Sequence, residues 1–314
     1  MRVRPILIAA IALFCAQPAV AAAPADCQLV KAATLEVSSS PAGPLTVPVG
    51  INGEVANFAL DTARMMSLID PRLVAQEALT VKTEGVFDVA GRQASETAIV
   101  SRLLLGGLVS NDQSVLVAPD GELRPGVDGL LGIDLLHGYD IELDLGHGKV
   151  NLFLPHRCPG PPVYWSALAV VIPIHVLHEG LFTVPMTLDG KPVEVLFDPT
   201  EPAGTMSFAT AHQLFGLERG SPGMEREGIG RYRYPFATLQ AGGMAIAHPG
   251  IVIVDSGDRA PGCSEQQYLK TNSAIPSYRC IGKGDLRLGA EQLQSLRLIV
   301  SFGDEQVSLT PSGG

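Results

Sequence analysis

The chain has 314 residues, of which 46% are hydrophobic, and it contains 34 glycines and 24 prolines. This composition excludes a disordered chain and is typical of short strands separated by turns, in one large or two medium domains. The formal net charge of −10 argues against nucleic acid or an anionic membrane surface as a partner.

The first 21 residues are predicted to be a secretory signal peptide. Arg2 and Arg4 precede an apolar segment, 6–16, that is too short to span a bilayer, and Ala19-Val20-Ala21 is typical of a cleavage site. We expect a secreted or periplasmic protein without membrane contact after cleavage, with a net charge of −12 once the two arginines are removed. An uncleaved anchor is the less favoured alternative, because the apolar segment is short.

The mature chain begins with a predicted β-hairpin that ends in an acid. Apolar residues alternate over 47–51, Asn52-Gly53 is a typical tight-turn pair, and the return strand ends at Leu60. Asp61 follows immediately, so a buried strand presents a carboxylate at its end.

The second half of the chain repeats the first. Three pairs of segments share their apolar pattern and turn residues: 47–61 with 184–198 at an offset of 137, 103–118 with 239–254 at 136, and 128–153 with 285–310 at 157. Asp198 is thereby the counterpart of Asp61, and the larger last offset places about twenty extra residues within 255–284.

We therefore predict an all-β fold of two homologous β-barrel lobes that arose by duplication. The predicted parts are the lobes 27–154 and 170–312, the Pro-rich linker 155–169, the insert 255–284 and short helices near 133–137 and 290–296. Similar lobes usually pack about a pseudo-twofold axis, which would bring Asp61 and Asp198 face to face.

Four cysteines remain in the mature chain, and an exported protein is expected to form disulfides. They are Cys27, Cys158, Cys263 and Cys280, which allow three pairings. Pairing Cys263 with Cys280 would close a short loop, and pairing Cys27 with Cys158 would tie the N-terminus to the linker; free thiols stay open as an alternative. With no CxxC or HExxH spacing, the sequence predicts no metal site and no cofactor.

Two carboxylates held face to face have a defined chemistry. They cannot both ionise cheaply, so they share a proton and can hold a water molecule between them. One carboxylate takes the proton of the water while the other polarises a carbonyl group, which hydrolyses a peptide bond without a metal ion or a covalent intermediate.

Residues 45–312 resemble the retropepsin/pepsin-like aspartic proteases, in particular the bacterial exported two-lobe forms. The matching motifs are Asp61-Thr62-Ala63 with Leu130-Leu131-Gly132 in the first half, and Asp198-Pro199-Thr200 with Arg287-Leu288-Gly289 in the second. In that family each lobe offers Asp-Thr-Gly after a strand, and a later hydrophobic-hydrophobic-Gly segment threads past it.

The resemblance implies a role for each matching position. Asp61 and Asp198 would be catalytic, and Thr62 would brace the opposite loop. Ala63, Thr200, Gly132 and Gly289 would support the site. Two hairpins, near Val86 to Ala94 and near Glu227 to Tyr234, would be the flaps that close over a substrate.

The chain departs from the family pattern at four positions. Ala63 replaces a glycine, and it keeps the backbone N–H if its φ is negative. Pro199 removes the bracing hydroxyl of the second lobe, and whether Thr200 compensates stays open. Arg64 places a positive charge beside the pair, which would lower the carboxyl pKa values.

Three hypotheses follow. The first is an exported aspartic endopeptidase, active as a monomer on a peptide or protein substrate. The alternative is an inactive pseudoprotease whose inter-lobe cleft binds peptide. A third, in which the first lobe pairs across a homodimer, ranks last because the second lobe occupies that docking surface.

Overall fold

The computed structural model describes residues 29–39, 43–89, 92–155, 160–177, 181–255, 266–269, 277–280 and 284–313. The fold is all-β, with two barrel lobes and few short helices, as predicted. Among these residues, no helix has the length and apolar character needed to cross a membrane.

In the first half of the chain, the described residues form ten strands and one α-helix. In chain order these are β1 (Lys31–Glu36), β2 (Thr46–Ile51), β3 (Glu54–Leu60), β4 (Leu68–Ile69), α1 (Pro71–Gln76), β5 (Thr80–Val89), β6 (Arg92–Leu105), β7 (Leu108–Val117), β8 (Gly129–Leu131), β9 (Asp140–Asp144) and β10 (Lys149–Phe153). The helix predicted near 133–137 is only a 3₁₀ turn, Ile133–Leu135, and a second 3₁₀ turn spans Leu145–His147.

The second half continues with fifteen strands and two α-helices over its described residues. These are β11 (Val170–Pro173), β12 (His175–Val176), β13 (Phe182–Leu188), β14 (Lys191–Phe197), β15 (Thr205–Ser207), α2 (Phe208–Phe215), β16 (Glu225–Gly228), β17 (Arg231–Arg233), β18 (Thr238–Ala241), β19 (Met244–Ala247), β20 (Val252–Val254), β21 (Gln266–Leu269), β22 (Ser277–Cys280), β23 (Leu286–Leu288), α3 (Ala290–Gln294), β24 (Leu296–Ser301) and β25 (Gln306–Pro311).

The predicted insert contains the two-stranded sheet β21–β22. Cys27, Cys158 and Cys263 lie outside the described residues, and only the backbone of Cys280 is described, at the end of β22. The disulfide pairings therefore stay a prediction.

Both lobes have the same strand order. In the first lobe it is β2-β3-β8-β4-β7-β6-β5. In the second lobe the strands β13-β14-β23-β15-β20-β17-β16 repeat this order, within a ten-stranded sheet in which β18, β19 and β12 continue beyond β13. Each lobe contains one pair of parallel neighbours next to the acid, β3 with β8 and β14 with β23. The opening hairpins turn where the sequence predicts, since Asn52-Gly53 and Asp189-Gly190 all have positive φ angles.

A six-stranded sheet that the sequence did not predict joins the lobes, in the order β1-β10-β9-β24-β25-β11. Its central strands β9 and β24 are antiparallel, and Glu142 lies opposite Ile299. These two residues are counterparts at the offset of 157. A strand pair in which a position faces its own counterpart has a local twofold axis at that point, so the pseudo-twofold axis passes between Glu142 and Ile299.

A polar network covers this axis. The Glu142 side chain is fully buried; its Oε1 accepts from Arg297 Nε at 2.8 Å, and its Oε2 accepts from Asn151 at 2.8 Å and from the Tyr164 hydroxyl at 2.9 Å. The Arg297 guanidinium also lies 4.5 Å from the Trp165 ring centroid. The linker is thus held against the sheet, and the two halves are joined by an ion pair as well as by backbone hydrogen bonds.

Replacing Glu142 by Gln should lower the free energy of unfolding by about 3 kcal/mol, because Arg297 loses its main counter-charge in a buried setting. Urea titration of both proteins measures the difference. The double variant Glu142→Met with Arg297→Met should lose less than the single variant, because no unpaired charge remains. An equal or larger loss would show that the unpaired Arg297 charge is not the cause.

Candidate active site

Asp61 and Asp198 occupy matching positions in the two lobes. The Asp61 N–H donates to Leu131 O at 2.9 Å, and the Asp198 N–H donates to Leu288 O at 2.9 Å. These bonds extend the parallel strand pairs β3–β8 and β14–β23 by one residue. Each carboxylate is therefore mounted on a strand that is fixed on both sides.

The two threading glycines are required by space rather than by backbone angle, since Gly132 has φ −86° and Gly289 has φ −85°. A Cβ on Gly132 would lie 2.8 Å from the backbone of Met66 and Ser67, and one on Gly289 would lie 2.5 Å from the carbonyl of Ala203. Real Cβ atoms do not approach backbone so closely. Both segments thus pass against the loop that follows each acid, as the sequence predicted.

The two carboxylates line one cleft of about 330 Å³ between the lobes. The hairpin β5–β6, at the predicted first flap, contributes Asp88 and Val89, and the hairpin β16–β17, at the predicted second flap, contributes Arg231. Both aspartates are buried, at 5% and 3% exposure. An extended chain under the hairpins would therefore contact both carboxylates.

Asp61 is held by its own loop. The Ala63 N–H donates to Asp61 Oδ1 at 3.2 Å, and Arg64 Nε donates to Asp61 Oδ2 at 2.9 Å. Ala63 is not among the residues with positive φ, so its methyl group causes no backbone strain. Arg64 is shared, because its Nη2 also donates to Glu122 Oε1 at 2.9 Å.

Burial and the negative charge of Asp198 raise the pKa of Asp61 above its ordinary value. Arg64 lowers the pKa of Asp61, as predicted from the sequence, but it is outweighed, so the net direction is the opposite of the predicted one. Burial is the largest cause because a charged carboxylate loses its hydration there.

Asp198 accepts three hydrogen bonds. Thr200 donates to Oδ1 through its N–H at 3.2 Å and through its hydroxyl at 2.5 Å, and Arg287 Nη1 donates to Oδ2. Thr200 thus supplies the backbone donor that Ala63 supplies in the first lobe, and adds a second.

The brace between the loops is one-sided. The Thr62 hydroxyl donates to the carbonyl oxygen of Phe197 at 2.6 Å. This hydrogen bond connects the loop after β3 to the residue that precedes Asp198. Pro199 stands at the position equivalent to Thr62 and has no hydroxyl to return this bond.

The sequence analysis gave no charged role at the site to Glu122, Arg124, Glu201, Arg231 and Arg287, and Asp88 was covered only as part of the predicted first flap. Burial and Asp198 raise the pKa of Glu201, which also lies 3.4 Å from Arg124 of the first lobe. A signal for Arg287 was present, because its counterpart in the first half, at the offset of 157, is Leu130. Nothing in the sequence places Glu122 beside Arg64.

Comparison with known families agrees with this geometry. Residues 47–135 match the family described as aspartyl protease, so this segment of the chain is similar to the aspartyl proteases. The match supports an aspartic protease function in general terms, that is, hydrolysis of peptide bonds. It ends before the second lobe, and a comparison with curated proteins finds no significant match.

Replacing Gly289 by Ala should lower the free energy of unfolding by about 2 kcal/mol, because the added methyl group overlaps the backbone of Ala203. Gly138→Ala is the matched control, since no atom lies within 4 Å of its Cβ position. Urea unfolding of the two variants beside the parent protein measures both effects. Equal stability of all three would show that the threading segment can move away at no cost.

Proposed function

We propose that the protein is an exported aspartic endopeptidase, active as a monomer, in which Asp61 and Asp198 share one proton and activate one water molecule. The observation that carries the proposal is the matched pair of carboxylates on equivalent loops, facing one cleft and acting on each other electrostatically. The bond from Thr62 to Phe197 supports the monomer, because the second lobe already occupies the surface that a partner copy would need.

The surroundings of the two acids favour different roles. Asp61, with its raised pKa, holds the shared proton and donates it to the carbonyl oxygen of the scissile bond. Asp198, which accepts three hydrogen bonds, is the base of the pair and takes a proton from the water, whose oxygen adds to the carbonyl carbon. The proton on Asp198 then passes to the leaving amine as the C–N bond breaks, and one hydroxyl of the intermediate returns its proton to Asp61, which restores the starting pair.

One feature favours the second candidate, a cleft that binds peptide without cleaving it. Each aspartate is paired with an arginine, Asp61 with Arg64 and Asp198 with Arg287. A carboxylate held by a guanidinium is a weaker base, and a brace with one missing half holds the pair less firmly. Binding of peptides that are never cleaved is the result that this candidate expects.

Replacing Asp61 or Asp198 by Asn should lower the rate of peptide cleavage about a thousand-fold or more, because either change removes the shared proton or the base. A diverse peptide library read by mass spectrometry from acidic to neutral pH measures it. Asp112→Asn is the matched control, an exposed acid outside the cleft. Cleavage that survives either substitution would overturn the dyad, and folded protein without cleavage at any pH would favour the binding function.

The loss of cleavage activity at high pH, the alkaline limb of the pH–activity profile, should follow the deprotonation of Asp61. Below its raised pKa Asp61 carries the proton, and activity is lost as the pH rises through that pKa. Arg64→Gln removes a charge and a hydrogen bond that lower this pKa, so the limb should move to higher pH.

The measurement is kcat/KM as a function of pH for the parent and the variant. Arg72→Gln is the control, because Arg72 forms an Arg–Asp pair with Asp70 at the start of α1, away from the cleft. A limb that stays in place or moves to lower pH in Arg64→Gln would show that Asp61 does not carry the proton.

A further inference from the structure

The charges around the cleft are paired, with one exception among the described residues. Arg64 contacts both Asp61 and Glu122, Arg287 contacts Asp198, and Arg124 contacts Glu201. The cleft also contains Arg231. Its guanidinium makes no hydrogen bond and no ion pair with any residue that the structure describes.

Arg231 is positioned to meet a ligand. It begins β17, directly after the turn of the second flap hairpin, and lies opposite Val254, which also lines the cleft. Its side chain is half-buried. It acts on Glu201 only through space, where its charge helps to lower the pKa of that carboxyl group.

No described carboxylate forms an ion pair with Arg231. Glu122, Asp198 and Glu201 each contact a different arginine, so Arg231 is left to meet the substrate of the proposed function, on which this step rests. Asp88, on the facing hairpin, is already engaged in an interaction of its own. A guanidinium in a partly dehydrated cleft binds a carboxylate through paired, charge-assisted hydrogen bonds.

We propose that Arg231 selects peptides with a carboxylate close to the scissile bond, supplied by an acidic side chain or by the C-terminus of the substrate. The cleft wall also contains apolar side chains, among them Met65, Met66, Leu181 and Val254. The preferred sequence is therefore an acidic group beside apolar residues.

The experiment compares pairs of peptides in which one residue is Glu in one member and Gln in the other. This residue is placed in turn at each position around the cleaved bond. Wild type should prefer the Glu member by about 10- to 100-fold in kcat/KM at one position, and Arg231→Gln should abolish this preference. Arg231→Glu should prefer Lys at the same position. Arg226→Gln is the matched control, since Arg226 lies on the same hairpin and its side chain, among the described residues, donates only to Gly228 O.

A second arm separates the two sources of the carboxylate. Peptides with a free C-terminus are compared with their C-terminal amides. If amidation of the C-terminus removes the preference, Arg231 binds the terminal carboxylate of the substrate. If the preference depends instead on the position of Glu, Arg231 binds an acidic side chain. Cleavage with neither preference, unchanged in Arg231→Gln, overturns the inference and leaves the endopeptidase standing.

Binding of the same peptides to Asp61→Asn, measured by calorimetry, distinguishes this inference from the proposed function. One possible result is that wild type cleaves no peptide, the carboxylate peptides bind at least 10-fold more tightly than their amide counterparts, and Arg231→Gln removes this difference. The endopeptidase function then fails, and the role of Arg231 in binding holds. If the peptides bind equally or not at all, the role of Arg231 fails.

Discussion

The antiparallel pairing of β9 with β24 is the constraint on which the rest of the structure depends. Because Glu142 lies opposite its own counterpart, Ile299, the two halves are related by a twofold axis at that point. Each lobe then closes with the same strand order, and the loops after β3 and β14 arrive at equivalent places. Two acids that are far apart in the chain meet because the register of one strand pair is symmetric.

On this symmetric frame the chemistry is asymmetric. Position 64 is Arg in the first lobe, while its counterpart at the offset of 137 is Glu201. The arginine that pairs with Asp198 is instead Arg287, in strand β23. The two Asp–Arg pairs are therefore not copies of one another. Their partners differ in number and kind, since Asp61 accepts from Ala63 and Arg64 whereas Asp198 accepts twice from Thr200 and once from Arg287.

Much of the fold could be predicted from particular residues. Alternating apolar residues and the turn pairs Asn52-Gly53 and Asp189-Gly190 predicted both opening hairpins, which the structure has. The aspartyl protease resemblance is confirmed over 47–135. The helix near 133–137 was too long, because the pattern cannot distinguish a 3₁₀ turn from an α-helix over so few residues. The signal peptide, the disulfides and the descent by duplication stay predictions.

The sequence by itself determined the elements: where strands run, where they turn, and that each half ends a buried strand in an acid. These are properties of contiguous segments, since periodicity and turn chemistry act over a few residues. Only the tertiary structure decided the charge pattern of the site. Arg287 lies 89 residues from Asp198 and Glu122 lies 58 from Arg64, and neither pair leaves a local pattern in the chain. The same holds for the position of Arg231 in the cleft, because the residues that meet across a folded cleft depend on the tertiary structure and not on their spacing along the sequence.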